Sequence, residues 1–113
     1  MHELSLCQHA LTIVLEQAAQ HGAQRVTGVW LDIGALACVE ESALRFSFAS
    51  VCRDTAAQEC ALFIAHSPAQ AWCWDCCMRV EITRHDDPCP RCQGVHLRIQ
   101  EGEALRVKSI EIE

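Results

Sequence analysis

The sequence has very little lysine and no long apolar run. Lys108 is its single lysine, eight arginines are scattered along the chain, and the formal net charge is -6. Nucleic-acid binding needs clustered Lys and Arg side chains that neutralise phosphates, so the composition argues against a nucleic-acid partner. The apolar stretches are short and interrupted by Glu, Gln or Arg. None reaches the roughly 20 residues of a transmembrane helix, so no membrane span is expected.

Common catalytic motifs are also missing. The sequence contains neither a Gly-rich phosphate loop of the P-loop type nor a Gly-x-Ser-x-Gly motif, so nucleotide hydrolysis and serine chemistry have no visible machinery. We therefore expect a protein that is not an enzyme. No N-terminal secretory segment is visible, and nine cysteines without one indicate the reducing cytosol. The expected location is cytoplasmic.

Cysteine is abundant, and four of the nine cysteines form two Cys-x-x-Cys pairs. The first pair ends at Cys76 and the second pair begins at Cys89, so twelve residues separate the two pairs. A tight turn lets both sulfur atoms of a pair face one point, and two pairs supply a tetrahedral set of thiolates for zinc. Cys77 is interpreted as a bystander thiol beside Cys76. The predicted ligands of this closed, structural zinc site are Cys73, Cys76, Cys89 and Cys92.

Two other interpretations of the paired cysteines stay open at this level. A tetrahedral four-sulfur site also suits iron, and the run from Cys89 to Cys92 is similar to that of a rubredoxin-like electron carrier. Disulfides are the second alternative, although a reducing compartment disfavours them. A third class of function is a zinc-ribbon adaptor that binds protein or nucleic acid.

The N-terminus offers a different kind of metal site. The α-amino group of Met1, the backbone nitrogen of His2 and the His2 imidazole can close adjacent chelate rings on one cation. The backbone nitrogen of Glu3 could supply a fourth ligand. Square-planar nitrogen coordination is what Ni²⁺ and Cu²⁺ prefer. The general expectation for a second residue is a frayed terminus without a role, so the residues alone leave this site undecided.

Hydrophobic periodicity predicts an α+β fold with two helices packed on a small three-stranded sheet. A zinc-ribbon module with four cysteines is inserted before the last strand. A discontinuous nickel-binding domain is expected over 1–70 and 98–113, and the zinc-binding module over 71–97. The predicted elements are a first helix capped by Gly22, a second helix over 39–53, and strands over 24–33, 60–64 and 105–112, the last with a bulge near Lys108-Ser109.

The other cysteines have a simpler interpretation. Cys7, Cys38, Cys52 and Cys60 lie among apolar neighbours in the sequence. Free cysteine commonly behaves as a small buried hydrophobe, so we expect all four to be buried.

Several motifs follow one another in a fixed order along the whole chain. They are Met1-His2-Glu3, the run 29–34, Glu40-Glu41 leading into Phe46-Ser47-Phe48, the two Cys-x-x-Cys pairs, and the run 107–111. In this order and spacing they resemble the hydrogenase maturation nickel-insertion proteins HypA and HybF. The run 69–76 is most similar to the HybF branch.

This resemblance implies a metallochaperone that carries Ni(II) as cargo to the large subunit precursor of a [NiFe]-hydrogenase, together with a GTPase maturation partner. It implies that His2 is the nickel ligand, assisted by the Met1 amine and by the backbone of His2 and Glu3. It further implies that the four paired cysteines hold structural Zn(II). The oligomeric state stays open, with a homodimer as one option.

Overall fold

The fold is α+β, as predicted. A computed structural model describes residues 2–113, with side chains described from Glu3 onwards. Two three-stranded sheets form, in the strand orders β2-β1-β6 and β4-β3-β5. The elements in chain order are α1 (His2–Gln20), β1 (Val26–Gly34), α2 (Glu41–Cys52), β2 (Ala61–Ser67), β3 (Ala69–Cys73), β4 (Met78–Ile82), β5 (Leu97–Glu101) and β6 (Leu105–Ile112).

Contacts divide the chain into two compact units. The first unit consists of residues up to 32 with 39–65 and 106–113, and the second unit of 33–38 with 66–105. The second unit is therefore larger than the predicted module over 71–97. The cysteine pairs could be predicted from the sequence, but the sheet of β3, β4 and β5 that carries them could not.

The helix α1 buries one face along its whole length. Because an α-helix repeats every 3.6 residues, side chains three or four positions apart fall on the same face. Its C-terminal end has the expected glycine: Gly22 has φ 68, and the Gly22 N–H donates to the Ala19 carbonyl at 3.0 Å. The buried residues of α1 are Cys7, Ala10, Leu11, Val14 and Ala18.

The helix α2 begins two residues later than predicted because its N-terminus is capped by Glu40. The Glu40 carboxylate accepts hydrogen bonds from the backbone N–H of Ser42 at 3.1 Å and of Ala43 at 2.8 Å, which satisfies amides that have no helical acceptor. The buried side chains of α2 follow helical spacing, with Val51 half-buried at the edge of the stripe. The fully buried members are Leu44, Phe48 and Cys52. In the described chain, neither helix is long and apolar enough to cross a membrane.

The strands of the first sheet alternate as expected. Trp30, from the opposite face of β1, stacks on Phe63 of β2 with ring centroids 4.5 Å apart. In β6, two exposed residues, Lys108 and Ser109, separate half-buried neighbours; the bulge itself stays a prediction. The buried face of β1 includes Val29, Leu31 and Ile33.

The prediction that the unpaired cysteines are buried is only partly correct. Cys7 and Cys52 are buried, and Cys60 is half-buried. For Cys38 the prediction is wrong: it is exposed, with φ 55. Apolar neighbours in the sequence do not bury this side chain because Cys38 lies in the turn between β1 and α2, where the chain leaves the core.

Candidate metal centre

The first Cys-x-x-Cys pair forms the turn of a hairpin. The strand β3 ends at Cys73, which lies opposite Met78 at the start of β4 in an antiparallel ladder. The backbone N–H of Cys76 donates to the Cys73 sulfur at 3.4 Å. Cys77 closes the turn in the left-handed conformation, with φ 53. We call residues 73–77 the first cysteine turn.

The second pair folds in a similar way. Residues 89–93, the second cysteine turn, are closed by a hydrogen bond from the Gln93 N–H to the Cys89 carbonyl at 2.8 Å. Backbone N–H groups of Arg91 and Gly94 donate to the sulfurs of Cys89 and Cys92, each at 3.4 Å. Gln93 has φ 64, so both turns place a left-handed residue directly after their second cysteine. Such N–H donors stabilise thiolates.

The two cysteine turns are held against each other. The Trp74 N–H donates to the His96 carbonyl at 3.0 Å, and the His96 ring nitrogen Nδ1 lies 3.1 Å from an Asp75 carboxylate oxygen. The backbone of Gly94 passes so close that a Cβ there would lie 2.6 Å from Asp75 Oδ2 and 3.2 Å from the Cys92 sulfur. A side chain at this position would therefore displace the Asp75 carboxylate that faces His96.

This approach brings four sulfur atoms together. The sulfurs of Cys73, Cys76, Cys89 and Cys92 all lie within 4.8 Å of one another. The distance is 3.7 Å from Cys73 to Cys92 and 3.8 Å from Cys76 to Cys89. A tetrahedron with metal–sulfur bonds of about 2.3 Å has edges of about 3.8 Å, so the cluster fits a tetrahedral ion.

Cys77 lies outside this cluster. It is exposed, and its thiol donates to the Trp74 carbonyl at 3.5 Å. The left-handed turn directs its side chain away from the point on which the other four sulfurs converge. The geometry thus groups Cys76 rather than Cys77 with the other three cysteines, and the identity of the zinc ligands stays a prediction.

Burial and hydrogen bonding move the pKa values of the cluster thiols in opposite directions. Although burial raises the pKa of Cys89, hydrogen bonds from the backbone N–H groups of Cys92 and Arg91 outweigh it and bring the pKa to about 7, below the ordinary value of 9.0. Hydrogen bonding with Cys92 and burial raise the pKa of Cys76 to about 12. Because thiols must lose their protons to bind a metal, metal affinity should rise with pH.

The predicted nickel ligands lie at the edge of the described part of the chain. Met1 lies outside the described residues, and His2 begins α1 with its side chain outside them. Glu3 is half-buried in the first turn of α1. In the part of the chain described, the four-cysteine cluster is the sole group of three or more metal-ligating side chains. The nickel site therefore stays a prediction.

One contact at the cluster could not be predicted from the sequence. The His96 ring pairs with the Asp75 carboxylate of the first cysteine turn. No spacing in the sequence indicates this contact, because the two residues are 21 positions apart and meet only in the folded chain.

Comparison with known proteins agrees with this geometry. The family model described as "Hydrogenase/urease nickel incorporation, metallochaperone, hypA" matches residues 1–112. The hydrogenase maturation factor HybF of Salmonella typhimurium is 63% identical over 113 residues, covering 100% of both chains. The chain belongs to the HypA family. HybF of Escherichia coli K12 is 62% identical over the same length, again with full coverage of both chains.

The fold of the family is shared as well. The solution structure of the Ni metallochaperone HypA from Helicobacter pylori superposes with a TM-score of 0.77 at 21% sequence identity, covering 99% of this chain and 97% of that one. At this identity the likeness concerns the fold alone. The sequence matches carry the function: the chain is a hydrogenase maturation factor of the HypA/HybF nickel metallochaperone family, and its cysteine cluster is consistent with a structural zinc site.

Proposed function

We propose that this protein binds Ni(II) at its N-terminus and delivers it to the large subunit precursor of a [NiFe]-hydrogenase. The observation that carries the proposal is the match to HybF proteins over the entire chain, from Met1 to the last residue. The ion is cargo rather than a resident cofactor, so its site must be accessible and able to release it.

The start of α1 supports a nitrogen site of this kind. The helix begins at His2, and the first amides of an α-helix have no carbonyl of a preceding turn to bond. The backbone nitrogen of His2 is therefore outside the helical ladder. With the Met1 amine, the His2 imidazole and the Glu3 backbone nitrogen, it would complete the all-nitrogen set that Ni²⁺ prefers. The positive end of the helix dipole lies at the same place and weakens cation binding, which suits release.

The four-cysteine cluster would hold Zn(II) as a structural ion. Four thiolates leave no coordination position open for water or substrate. The ion would fix the two cysteine turns, and with them the sheet β4-β3-β5. Cys73 and Cys89 are fully shielded from solvent, which supports slow exchange of this metal while the N-terminal ion is transferred.

The remaining roles follow from family membership. We infer a GTPase maturation partner, a cytoplasmic location and no catalytic activity of the chain itself. The net charge of -6 gives no support for nucleic-acid contact, which needs clustered cations.

A calorimetric titration of Ni²⁺ into the zinc-loaded protein with its native N-terminus tests the proposal. We expect near-stoichiometric binding in the wild type and its loss in His2→Ala. The matched control is His9→Ala, because His9 is an exposed histidine of the same helix; it should bind nickel like the wild type. A short peptide extension before Met1, which removes the α-amino ligand, should also weaken binding.

Three outcomes would contradict the proposal. Equal nickel binding in the wild type and His2→Ala would remove the N-terminal site. A red iron protein with no zinc after purification would instead support the electron-carrier alternative. If neither protein binds nickel but both retain one zinc, the zinc-ribbon adaptor becomes the better description.

A further inference from the structure

A cavity unrelated to the metal sites lies in the first unit, between the end of α2 and the start of β2. Its volume is about 480 Å³, and its walls include the side chains of Phe48, Arg53 and Leu62. Two thiols, those of Cys52 and Cys60, also line it. A space of this size admits a small-molecule reactant.

The two thiols differ in exposure. Cys52, at the end of α2, is only 2% exposed, whereas Cys60 is half-buried at the cavity wall. Both thiols line the cavity, and a hydrogen bond between them is the largest influence on the pKa of each. Of the two, Cys60 is the more accessible from the cavity.

The hydrogen bond makes the pair chemically unequal. It raises the pKa of Cys52, and burial adds to this effect. The same bond from Cys52 outweighs burial at Cys60 and lowers its pKa from 9.0 to about 7. Because the thiolate is the nucleophile, Cys60 is the better nucleophile of the two at neutral pH.

The segment that joins the two cysteines is irregular. It contains two non-glycine residues with positive φ, Asp54 at 64° and Glu59 at 61°. Glu59 directly precedes Cys60, whose N–H bonds to the Ala57 carbonyl at 3.1 Å. These short turns lead from the end of α2 to Cys60, at the wall of the cavity that Cys52 also lines.

We propose that Cys60 and Cys52 form a peroxide-reactive dithiol, with Cys60 as the reacting sulfur and Cys52 as the resolving one. The substrates would be small hydroperoxides that enter the cavity. This inference is independent of nickel delivery, since neither cysteine belongs to a metal site described above.

The reaction balances in two steps. The Cys60 thiolate attacks an oxygen of the hydroperoxide; an S–O bond forms, the O–O bond breaks, and the leaving oxygen takes up a proton as an alcohol or water. The sulfur is oxidised by two electrons and the peroxide is reduced. The Cys52 sulfur then attacks the sulfenic acid, an S–S bond forms, the S–O bond breaks, and water leaves with the Cys52 proton. An external dithiol would reverse the linkage by exchange.

To test the proposal, the full-length, zinc-loaded protein is treated with limiting hydrogen peroxide and the remaining thiols are blocked. The disulfide bonds are then mapped by mass spectrometry. Trypsin cleaves after Arg45, Arg53 and Arg79, so a disulfide of Cys52 with Cys60 joins the peptides 46–53 and 54–79. Fragmentation of the joined peptides distinguishes Cys60 from Cys73, Cys76 and Cys77, which lie in the same peptide. We expect the disulfide of Cys52 with Cys60 to be the first linkage formed, before any zinc is released. Cys38 and Cys77 are exposed thiols and serve as internal comparators that should react later.

Two substitutions separate the roles. In Cys52→Ser no second thiol can attack the sulfenic acid of Cys60. This sulfenic acid should therefore accumulate, and dimedone should trap it. Cys52→Ala also removes the hydrogen-bond donor, and alkylation of Cys60 at neutral pH should slow about fivefold, because the loss of thiolate is partly offset by higher nucleophilicity. Cys60→Ser, at a half-buried site less sensitive to folding, should leave Cys52 reduced under peroxide.

The proposal is overturned if Cys60 is alkylated no faster than Cys38, or if peroxide first links cysteines of the zinc cluster. It is equally overturned if the first disulfide joins two copies of the chain through Cys38 or Cys77. Far-UV circular dichroism of each variant checks that the helices are retained.

Discussion

The cores of the two units differ in the size of the side chains that they bury. The first unit encloses large apolar groups, among them Phe48, Leu31 and Leu44, each at most 2% exposed. In the second unit the fully buried positions are Ala69, Ala71 and two cysteines, and the larger aliphatic residues surround them. The first core therefore consists of large apolar side chains, whereas the centre of the second consists of alanines and cysteines.

This difference sets how each unit is stabilised. Burying a Leu or Phe side chain contributes about 1.5–3 kcal/mol, so a core with several of them can offset the entropy of folding. Alanines contribute much less. We expect the second unit to depend on the ion that its four cysteines would hold, because structural zinc supplies on the order of 10–16 kcal/mol of apparent binding energy in small domains. A small domain buries little apolar surface. In this chain one unit is stabilised by large apolar side chains, and the other is expected to be stabilised by a metal cross-link.

The largest expected effect comes from breaking the metal cluster. Cys89→Ser, or zinc removal by a strong chelator, should unfold the second unit while the first unit keeps its helices, because only one core depends on the ion. Hydrogen exchange followed by mass spectrometry checks this. Amides of β3, β4 and β5 should lose protection, and those of α1 and α2 should keep it.

The matched control for this change is Cys77→Ser, which alters a neighbouring exposed thiol outside the cluster. It should retain one zinc and wild-type protection. Loss of protection in both units together after zinc removal would contradict the division of stability between the two cores.

A medium effect is expected from the core of the first unit. Phe48 is 2% exposed whereas Phe46, two residues away on the same helix, is 77% exposed. Phe48→Ala should lower the free energy of unfolding by about 3–5 kcal/mol, and Phe46→Ala should change it by no more than about 0.5 kcal/mol. Urea denaturation of the zinc-loaded proteins measures both.

The zinc content should be the same in both phenylalanine variants. If Phe48→Ala released zinc as readily as Cys89→Ser, the two cores could not be regarded as separate sources of stability. Equal losses of stability in the two variants would show that the buried face of α2 has been assigned incorrectly.

The smallest effect concerns the cap of α2. Hydrogen bonds from the Ser42 side chain, and then from the backbone N–H groups of Ala43 and Ser42, lower the pKa of Glu40 below 4.5. A carboxyl group with a lowered folded pKa stabilises the fold above its unfolded value and loses this contribution as the pH falls through the folded value. The Tm difference between wild type and Glu40→Gln should therefore be constant above pH 4.5 and shrink below it.

Comparing the two proteins at each pH cancels the destabilisation that acid causes in both by releasing zinc. A Tm difference that grows as the pH falls would contradict the assignment of Glu40 as the cap. Ser42→Ala offers a second check, because it removes the strongest of the hydrogen bonds and should raise the Glu40 pKa.

Much of the fold could be predicted because its signals are local. The spacing of buried residues in α1, the alternation around Leu31 in β1 and the stripe containing Phe48 in α2 each follow from one element's own periodicity. The start of α2 was predicted two residues early, because a Glu cap is a weaker sequence signal than Ser, Thr or Asp. The exposure of Cys38 was also missed, because burial depends on where a turn lies and not on its neighbours in the chain.

The sequence by itself determined the α+β class, the four cysteines of the cluster and the likeness to nickel metallochaperones, because spacing within short segments encodes them. Only the tertiary structure decided which features separated by long stretches of chain meet. It placed His96 beside Asp75, brought Gly94 close to the Asp75 carboxylate, built a second sheet around small residues, and placed Cys52 and Cys60 in the wall of one cavity. The physical reason is that such contacts depend on the packing of whole elements, which no local pattern records.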